Sequence, residues 1–126
     1  MTALARSRRE IEAARLLAEG GFAAQAISRA YYAAFYAAEQ ALGSLGESRS
    51  KHSGVVAGFG RQVVREGGVE ERVGRILRSL FEQRNDADYG EAEVSRRDAE
   101  LAIGDAEHFV NAVESWFARG EEHVGG

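Results

Sequence analysis

No proline interrupts the 126 residues of this chain, and long stretches of it carry apolar side chains at the helical period. A chain that never forbids helix and repeatedly patterns for it is constrained to helices. Ala, Leu, Glu, Arg and Gln, all good helix formers, fill most positions. Five helices are expected. The first runs from Leu4 to about Glu19, with Ile11, Ala14 and Ala18 on one face, and stops at Gly20-Gly21. The second runs from Phe22 to about Leu45, with Ile27, Tyr31, Ala34, Phe35, Ala38, Leu42 and Leu45 inward. Ser50 caps a third, reaching about Glu66 and carrying Val55, Val56, Phe59 and Val63; Gly54, Gly58 and Gly60 make it the weakest. The fourth spans Val69 to about Asp86 on a stripe of Val73, Ile76, Leu77, Leu80 and Phe81, and Tyr89-Gly90 ends that unit. The fifth spans Ser95 to about Ala118, with Ala99, Ala102, Ile103, Ala106, Phe109, Val110, Val113, Trp116 and Phe117 inward. Ser95 and Asp98 have capping-box spacing. No segment reads as a strand and no repeat is seen. Short connections favour antiparallel neighbours, so the expected fold is all-α, an up-and-down bundle of four to five helices. Residues 1–119 are expected to form one domain, and residues 120–126 a flexible C-terminal tail.

Composition narrows the function. The chain has no Cys, which removes disulfides, thiolate metal sites and thiol nucleophiles and fits a reducing cytoplasm. No apolar run approaches the ~20 residues of a membrane span, and nothing resembles a signal peptide. A cytoplasmic protein with no membrane partner is expected. The net charge is -4, whereas sequence-independent nucleic-acid binders are usually basic. Any nucleic-acid contact is therefore expected to be local. Lys51 is the only Lys.

Two segments carry chemistry. Arg84-Asn85-Asp86-Ala87-Asp88-Tyr89 follows directly on the fourth apolar stripe, which places Arg84 close to the core face. A half-buried Arg needs a carboxylate, an anionic ligand or an interface. Residues 30–38, Ala-Tyr-Tyr-Ala-Ala-Phe-Tyr-Ala-Ala, are apolar around more than one face. Such a helix is either central in its bundle or packed on another chain, with Tyr32 and Tyr36 as candidate interface residues. Buried tyrosine hydroxyls need polar partners. Of the histidines, His108 is expected to pack beside the inward face of the fifth helix, and His123 is given no role. Asp86 with Asp88 is too common a pair to mark a metal site, so neither metal nor cofactor is expected.

The order of these segments resembles a known family. Ser28-Arg29-Ala30-Tyr31-Tyr32-Ala33-Ala34-Phe35-Tyr36, then Lys51-His52-Ser53-Gly54, then Arg84 to Tyr89, then a long Ala-rich helix, is similar to the HEPN domain across roughly residues 8–117. The resemblance implies a HEPN-like helical bundle, a homodimer, and action beside a minimal nucleotidyltransferase as a toxin–antitoxin pair. Active members are metal-independent ribonucleases whose signature is an Arg followed, four to six residues later, by a His. Arg84 matches the Arg. Tyr89, Gly90 and Glu91 stand where the His belongs, so the signature is incomplete. The resemblance also implies that the partner transferase adenylylates a Tyr near this motif, and Tyr89 lies near that position without being in register with it.

Metal-free RNA cleavage needs a base for the 2′-hydroxyl and a cation for the phosphate. Arg84 suits the second role through its guanidinium fork. Tyr89 does not suit the first: with a reference pKa of ~10, about one in a thousand would be ionised at neutral pH. His52 is the other candidate base. In an up-and-down bundle, Lys51, His52, Arg84, Asp86, Asp88 and Tyr89 should gather at one pole, with Arg6, Arg8, Arg9, Arg96 and Arg97 near it. Lys51, Arg84, Asn85, Asp86, Asp88 and Tyr89 are the candidate nucleotide- or RNA-binding residues, and Arg84, His52 and Tyr89 the candidate catalytic ones. Three readings stay open: nucleotide, RNA or partner recognition beside a nucleotidyltransferase; a metal-independent ribonuclease with a composite dimer site; and a non-catalytic helical interaction module.

Overall fold

The computed structural model describes residues 4–46, 51–90 and 93–125. It contains α1 (Ala5–Glu19), α2 (Ala23–Ser44), α3 (His52–Gly58), a π-helical segment (Phe59–Arg65), α4 (Glu71–Tyr89) and α5 (Arg96–Gly125), and no strand among the described residues. The all-α bundle expected from the sequence is what the chain forms. The helix α1 ends in a Schellman motif: Phe22 N–H donates to the Leu17 carbonyl at 2.8 Å and Gly21 N–H to that of Ala18 at 3.2 Å. Gly21 carries the left-handed φ of 90° that this motif requires. The tight reversal sets α2 antiparallel to α1.

The central helix is α2. Ala26, Ala30, Tyr31, Ala33, Ala34, Ala37, Ala38 and Ala41 are fully buried, and α1, α3, α4 and α5 all pack on it. Most of its wide apolar arc is thus consumed within the bundle, and Tyr32 and Tyr36 remain half-buried at its edge. Seven of those eight are alanines, which let the neighbouring helices approach closely. Beside them, Phe59, Val63, Leu77, Leu80, Phe109 and Val110 complete a core with no exposure. The outer contacts are ionic. Arg8 reaches Asn111 at 2.8 Å and Glu114 at 3.1 Å, and Arg15 reaches Glu107 at 2.8 Å, tying α1 to α5. These pairs are well exposed and contribute register more than stability.

Several boundaries differ from the sequence reading. The fourth helix does not stop at Asp86: it continues to Tyr89, and Gly90 N–H closes its last turn on the Asp86 carbonyl. Asn85 and Asp86 weaken a helix without ending it when the core stripe continues beneath them. The third helical stretch reaches Arg65, close to the expected end, but it passes from α-helical to i→i+5 winding at Phe59, where Glu66 N–H donates to the Arg61 carbonyl at 3.1 Å. Ser50 lies outside the described residues, and Lys51 occupies the cap position of α3 without a side-chain cap bond. The capping box forms as read, with Asp98 N–H on Ser95 Oγ at 3.0 Å and Ser95 N–H on Asp98 Oδ2 at 3.1 Å. The helix it opens runs to Gly125 rather than ending near Ala118. Among the described residues, no helix is long and apolar enough to cross a membrane.

Candidate functional site

Tyr31 and Tyr32 lie near the middle of α2, and the functional side chains converge there. Ser28, Tyr32 and Tyr36 fall at intervals of four, so they line one face of α2. The last two turns of α4 run antiparallel along that face. Because α4 continues past Asp86, Arg84 and Asp88 sit one turn apart, and Asp88 Oδ2 lies 3.0 Å from Arg84 Nε. The Nε–H itself is not aimed at that oxygen, so the contact is ionic rather than a hydrogen bond. Arg84 Nη2 donates to Tyr32 Oη at 3.0 Å, and Nη1 to Asn85 Oδ1 at 3.3 Å. Ser28 Oγ donates to Asp88 Oδ1 at 2.8 Å and fixes the carboxylate. The Arg84 side chain is 19% exposed. Of the five guanidinium N–H groups, one on each Nη has no partner among the described residues.

The α3 start folds back onto the same helix. His52 stacks on Phe35, with ring centroids 4.2 Å apart, and its Nδ1 is 2.8 Å from Tyr31 Oη. Tyr31 is fully buried. Its ring centroid is 5.7 Å from both the Arg84 guanidinium carbon and the His52 ring. Tyr32 is as near, 5.7 Å from the His52 ring and 5.4 Å from the guanidinium carbon, so two phenols stand between the groups. Burial first, and the positive charge of Arg84 second, hold the His52 imidazolium below the ordinary histidine range. His52 is neutral at neutral pH. Burial raises the Tyr31 phenol above the usual tyrosine range, only partly offset by Arg84, so Tyr31 stays protonated. The hydrogen bond can run either way. When Nδ1–H donates to Tyr31 Oη, His52 Nε2 carries a lone pair and can accept a proton; when the phenol donates, Nε2 carries a hydrogen. Only the first tautomer is a base.

Arg29 and Arg6 continue the pattern along α2. The Arg29 guanidinium carbon lies 4.9 Å from the Tyr32 ring centroid, and that of Arg6 3.6 Å from the Tyr36 centroid. Arg29 is also held by both carboxylate oxygens of Glu10 at 3.2 Å. These are cation–π contacts on half-buried rings.

His52, Arg84, Asn85 and Asp88 are thus brought together, but on the flank of α2 rather than at an end of the bundle. The first turn of α3 packs on Tyr31 and Phe35, midway along α2, a placement that periodicity cannot foresee. Lys51 is exposed at the start of α3, and Asp86 is exposed on α4. Tyr89 is 81% exposed. It borders a hollow of about 660 Å³ together with Ser28, Arg29 and Asp88. Arg8 and Arg96 are directed elsewhere, to α5 and to Glu100 respectively. His108 is exposed rather than packed, because it lies one residue off the buried stripe of α5. Ser28 and the proton-holding role of Tyr31 were not expected; the four-residue spacing of Ser28 from Tyr32 was the available signal. Among the described residues no three His, Cys, Asp or Glu side chains cluster to hold a metal ion.

The HEPN domain family matches residues 2–116. This chain belongs to the HEPN family. A "UPF0332 protein" of Thermotoga maritima is 38% identical over 110 residues, covering 86% of this chain and 83% of the relative. "Putative toxin MJ0605" of Methanocaldococcus jannaschii is 36% identical over 104 residues, covering 82% and 78%. A second protein of that organism, "Putative toxin MJ0142", is 24% identical over 112 residues, covering 88% and 76%. The match to the HEPN family takes in α1 to α4 and most of α5, so every side chain of the Arg84 cluster falls inside it.

Proposed function

We propose that this HEPN chain is the toxin-type half of a pair whose other half is a small nucleotidyltransferase, and that Arg84 receives a phosphate of RNA. The names of the two archaeal relatives support the toxin reading. The observation that carries the RNA reading is the mounting of Arg84. Tyr32, Asn85 and Asp88 hold its guanidinium in place on the flank of α2, yet one N–H on each Nη remains for an anion. A preorganised, half-buried guanidinium binds phosphate with little further loss of side-chain freedom. The protein is proposed to be cytoplasmic and homodimeric, with Tyr36 and the exposed edge of Tyr32 at the seam. Tyr89, exposed and beside the same hollow, is the proposed acceptor of a nucleotidyl group. Co-expression with a minimal nucleotidyltransferase, as the proposed partner, tests the pairing. The expected results are co-purification and an intact-mass increase that Tyr89→Phe abolishes; separate elution with no mass change contradicts it.

The neutral state of His52 favours a second reading, cleavage of the bound RNA. His52 Nε2 would take the 2′-hydroxyl proton, the 2′-oxygen would attack the adjacent phosphorus, and the P–O5′ bond would break. Water protonates the leaving 5′-oxygen, and a 2′,3′-cyclic phosphate remains. Arg84 would stabilise the charge on the phosphoryl oxygens. Loss of cyclic-phosphate product in both His52→Gln and Arg84→Ala, with excess EDTA present, is the expected signature.

A further inference from the structure

The groove between the π-helical segment and α4 takes no part in the Arg84 cluster. It encloses about 850 Å³. Arg61 and Arg65 project from one wall, and Arg75 and Arg78 from the other. All four are exposed. One carboxylate shares the groove: Glu71, 3.8 Å from Arg75, with both side chains mostly in water. Such a pair neutralises little. Four guanidiniums against one carboxylate is the opposite sign to the chain as a whole, whose net charge is -4.

The floor is small and apolar. Gly74 lets α4 lie close to the π-helical segment, since a Cβ there would sit 3.2 Å from Val64 Cγ2. A Cβ on Gly60 would meet nothing within 4 Å, so the groove is open above it. Among the described residues, no aromatic ring lines it. It therefore offers no stacking platform for splayed bases. It offers guanidinium forks to backbone phosphates, which is how helical RNA is gripped. Its direction matters as well. One wall runs from Val56 to Arg65 and the other, antiparallel, from Glu71 to Arg78. His52 is one helical turn before Val56. Arg84 is six residues beyond Arg78, about 9 Å along the axis of α4. His52 and Arg84 thus lie past one end of the groove along the helix axes, with Arg84 on the α2 side of α4, half a turn round the helix from Arg75.

We propose that this groove binds the phosphodiester backbone of a helical RNA segment and directs the adjoining strand to Arg84. The proposal rests on the reading above that Arg84 meets RNA. Fluorescence anisotropy of a labelled RNA hairpin, in EDTA and across a salt series, tests it with the full chain. The variants are Arg61→Ala/Arg65→Ala/Arg75→Ala/Arg78→Ala, Gly60→Glu, and Arg84→Ala, each checked for folding by circular dichroism. The quadruple variant is expected to bind about 30-fold more weakly and to lower the log–log salt slope by about three. Gly60→Glu, which sets a carboxylate on the groove floor without steric conflict, is expected to weaken binding about threefold or more by like-charge repulsion of phosphate. Arg84→Ala is expected to lower the slope by about one. Wild-type affinity and slope in the folded quadruple variant would overturn the groove, while a loss confined to Arg84→Ala would leave the Arg84 reading intact. Loss in the quadruple variant with Arg84→Ala unaffected would keep RNA binding by the groove but overturn both the delivery of the strand to Arg84 and the Arg84 reading. Displacement of the hairpin by poly-glutamate at equal charge concentration would mean an acidic polypeptide is the occupant, and would overturn the RNA proposal, as would no hairpin binding by the wild type.

Discussion

Tyr32→Phe isolates one hydroxyl, and its cost can be worked out from the geometry. The substitution removes the acceptor for Arg84 Nη2 at 3.0 Å. It keeps the ring, and with it the cation–π contacts from Arg29 at 4.9 Å and Arg84 at 5.4 Å. A hydrogen bond from a charged donor contributes about 1.5–3 kcal/mol. The Arg84 side chain is 19% exposed, so water partly replaces the phenol and the lower end applies. A destabilisation of about 1–2 kcal/mol follows, which for a domain of this size lowers Tm by about 4–8 °C. Arg84→Leu in the same background should cost less than in the wild type, and the double-mutant cycle should return a coupling of about 1–2 kcal/mol. Urea denaturation followed by circular dichroism measures all four corners. An effect of Tyr32→Phe below about 0.5 kcal/mol, or additive behaviour in the cycle, would refute the claim that Tyr32 braces Arg84.

Other outcomes follow from the same geometry. His52 titrates below the ordinary histidine range when folded, so between that depressed value and about 6.5 the unfolded chain binds the extra proton. Stability should be full above pH ~6.5 and decline as pH falls through that window, and His52→Gln should flatten the decline in urea midpoints measured from pH 5 to 8. Asp88→Asn keeps an acceptor for Ser28 but removes the charge paired with Arg84; hairpin affinity should rise a few-fold by anisotropy, and a fall would mean that Asp88 itself serves the ligand. Ala34 is fully buried where other helices meet α2, so Ala34→Leu should destabilise by about 1–3 kcal/mol in the same urea assay. Sedimentation should give a dimer that Tyr36→Glu dissociates; a wild-type monomer across the micromolar range contradicts the proposed seam.

The helices were legible because each stripe repeats at the helical period and no proline breaks it. Nearly every residue assigned to the core by that period is buried, from Ile11 and Ala14 on α1 to Val110 and Val113 on α5. Phe81, Trp116 and Phe117 are half-buried at the margin of that core, and Leu45 departs from it at 45% exposure because it is the cap residue of α2, beyond its last buried turn. The Arg84 cluster was legible in its members and not in its place. Arg84, Asp88 and His52 carry chemistry that marks them in the sequence. Their meeting on the flank of α2 depends on α3 packing against the middle of that helix, a long-range contact that no local pattern encodes. That Arg84 needs a carboxylate was legible, and Asp86 and Asp88 were both within reach in sequence; the packing of α4 on α2 carries the helix through Asn85 and Asp86 and so selects Asp88, one turn on. The arginine groove was hidden because Arg61, Arg65, Arg75 and Arg78 belong to two segments whose pairing appears only after folding.

The most direct measurement is the affinity of the purified, folded protein for a labelled RNA hairpin in excess EDTA, wild type beside Arg84→Ala. A loss of about tenfold or more in the variant is predicted, since a charge-assisted phosphate contact contributes about 1.5–3 kcal/mol. Equal affinity for a variant whose circular dichroism matches the wild type would contradict the assignment of Arg84 as the phosphate-binding residue.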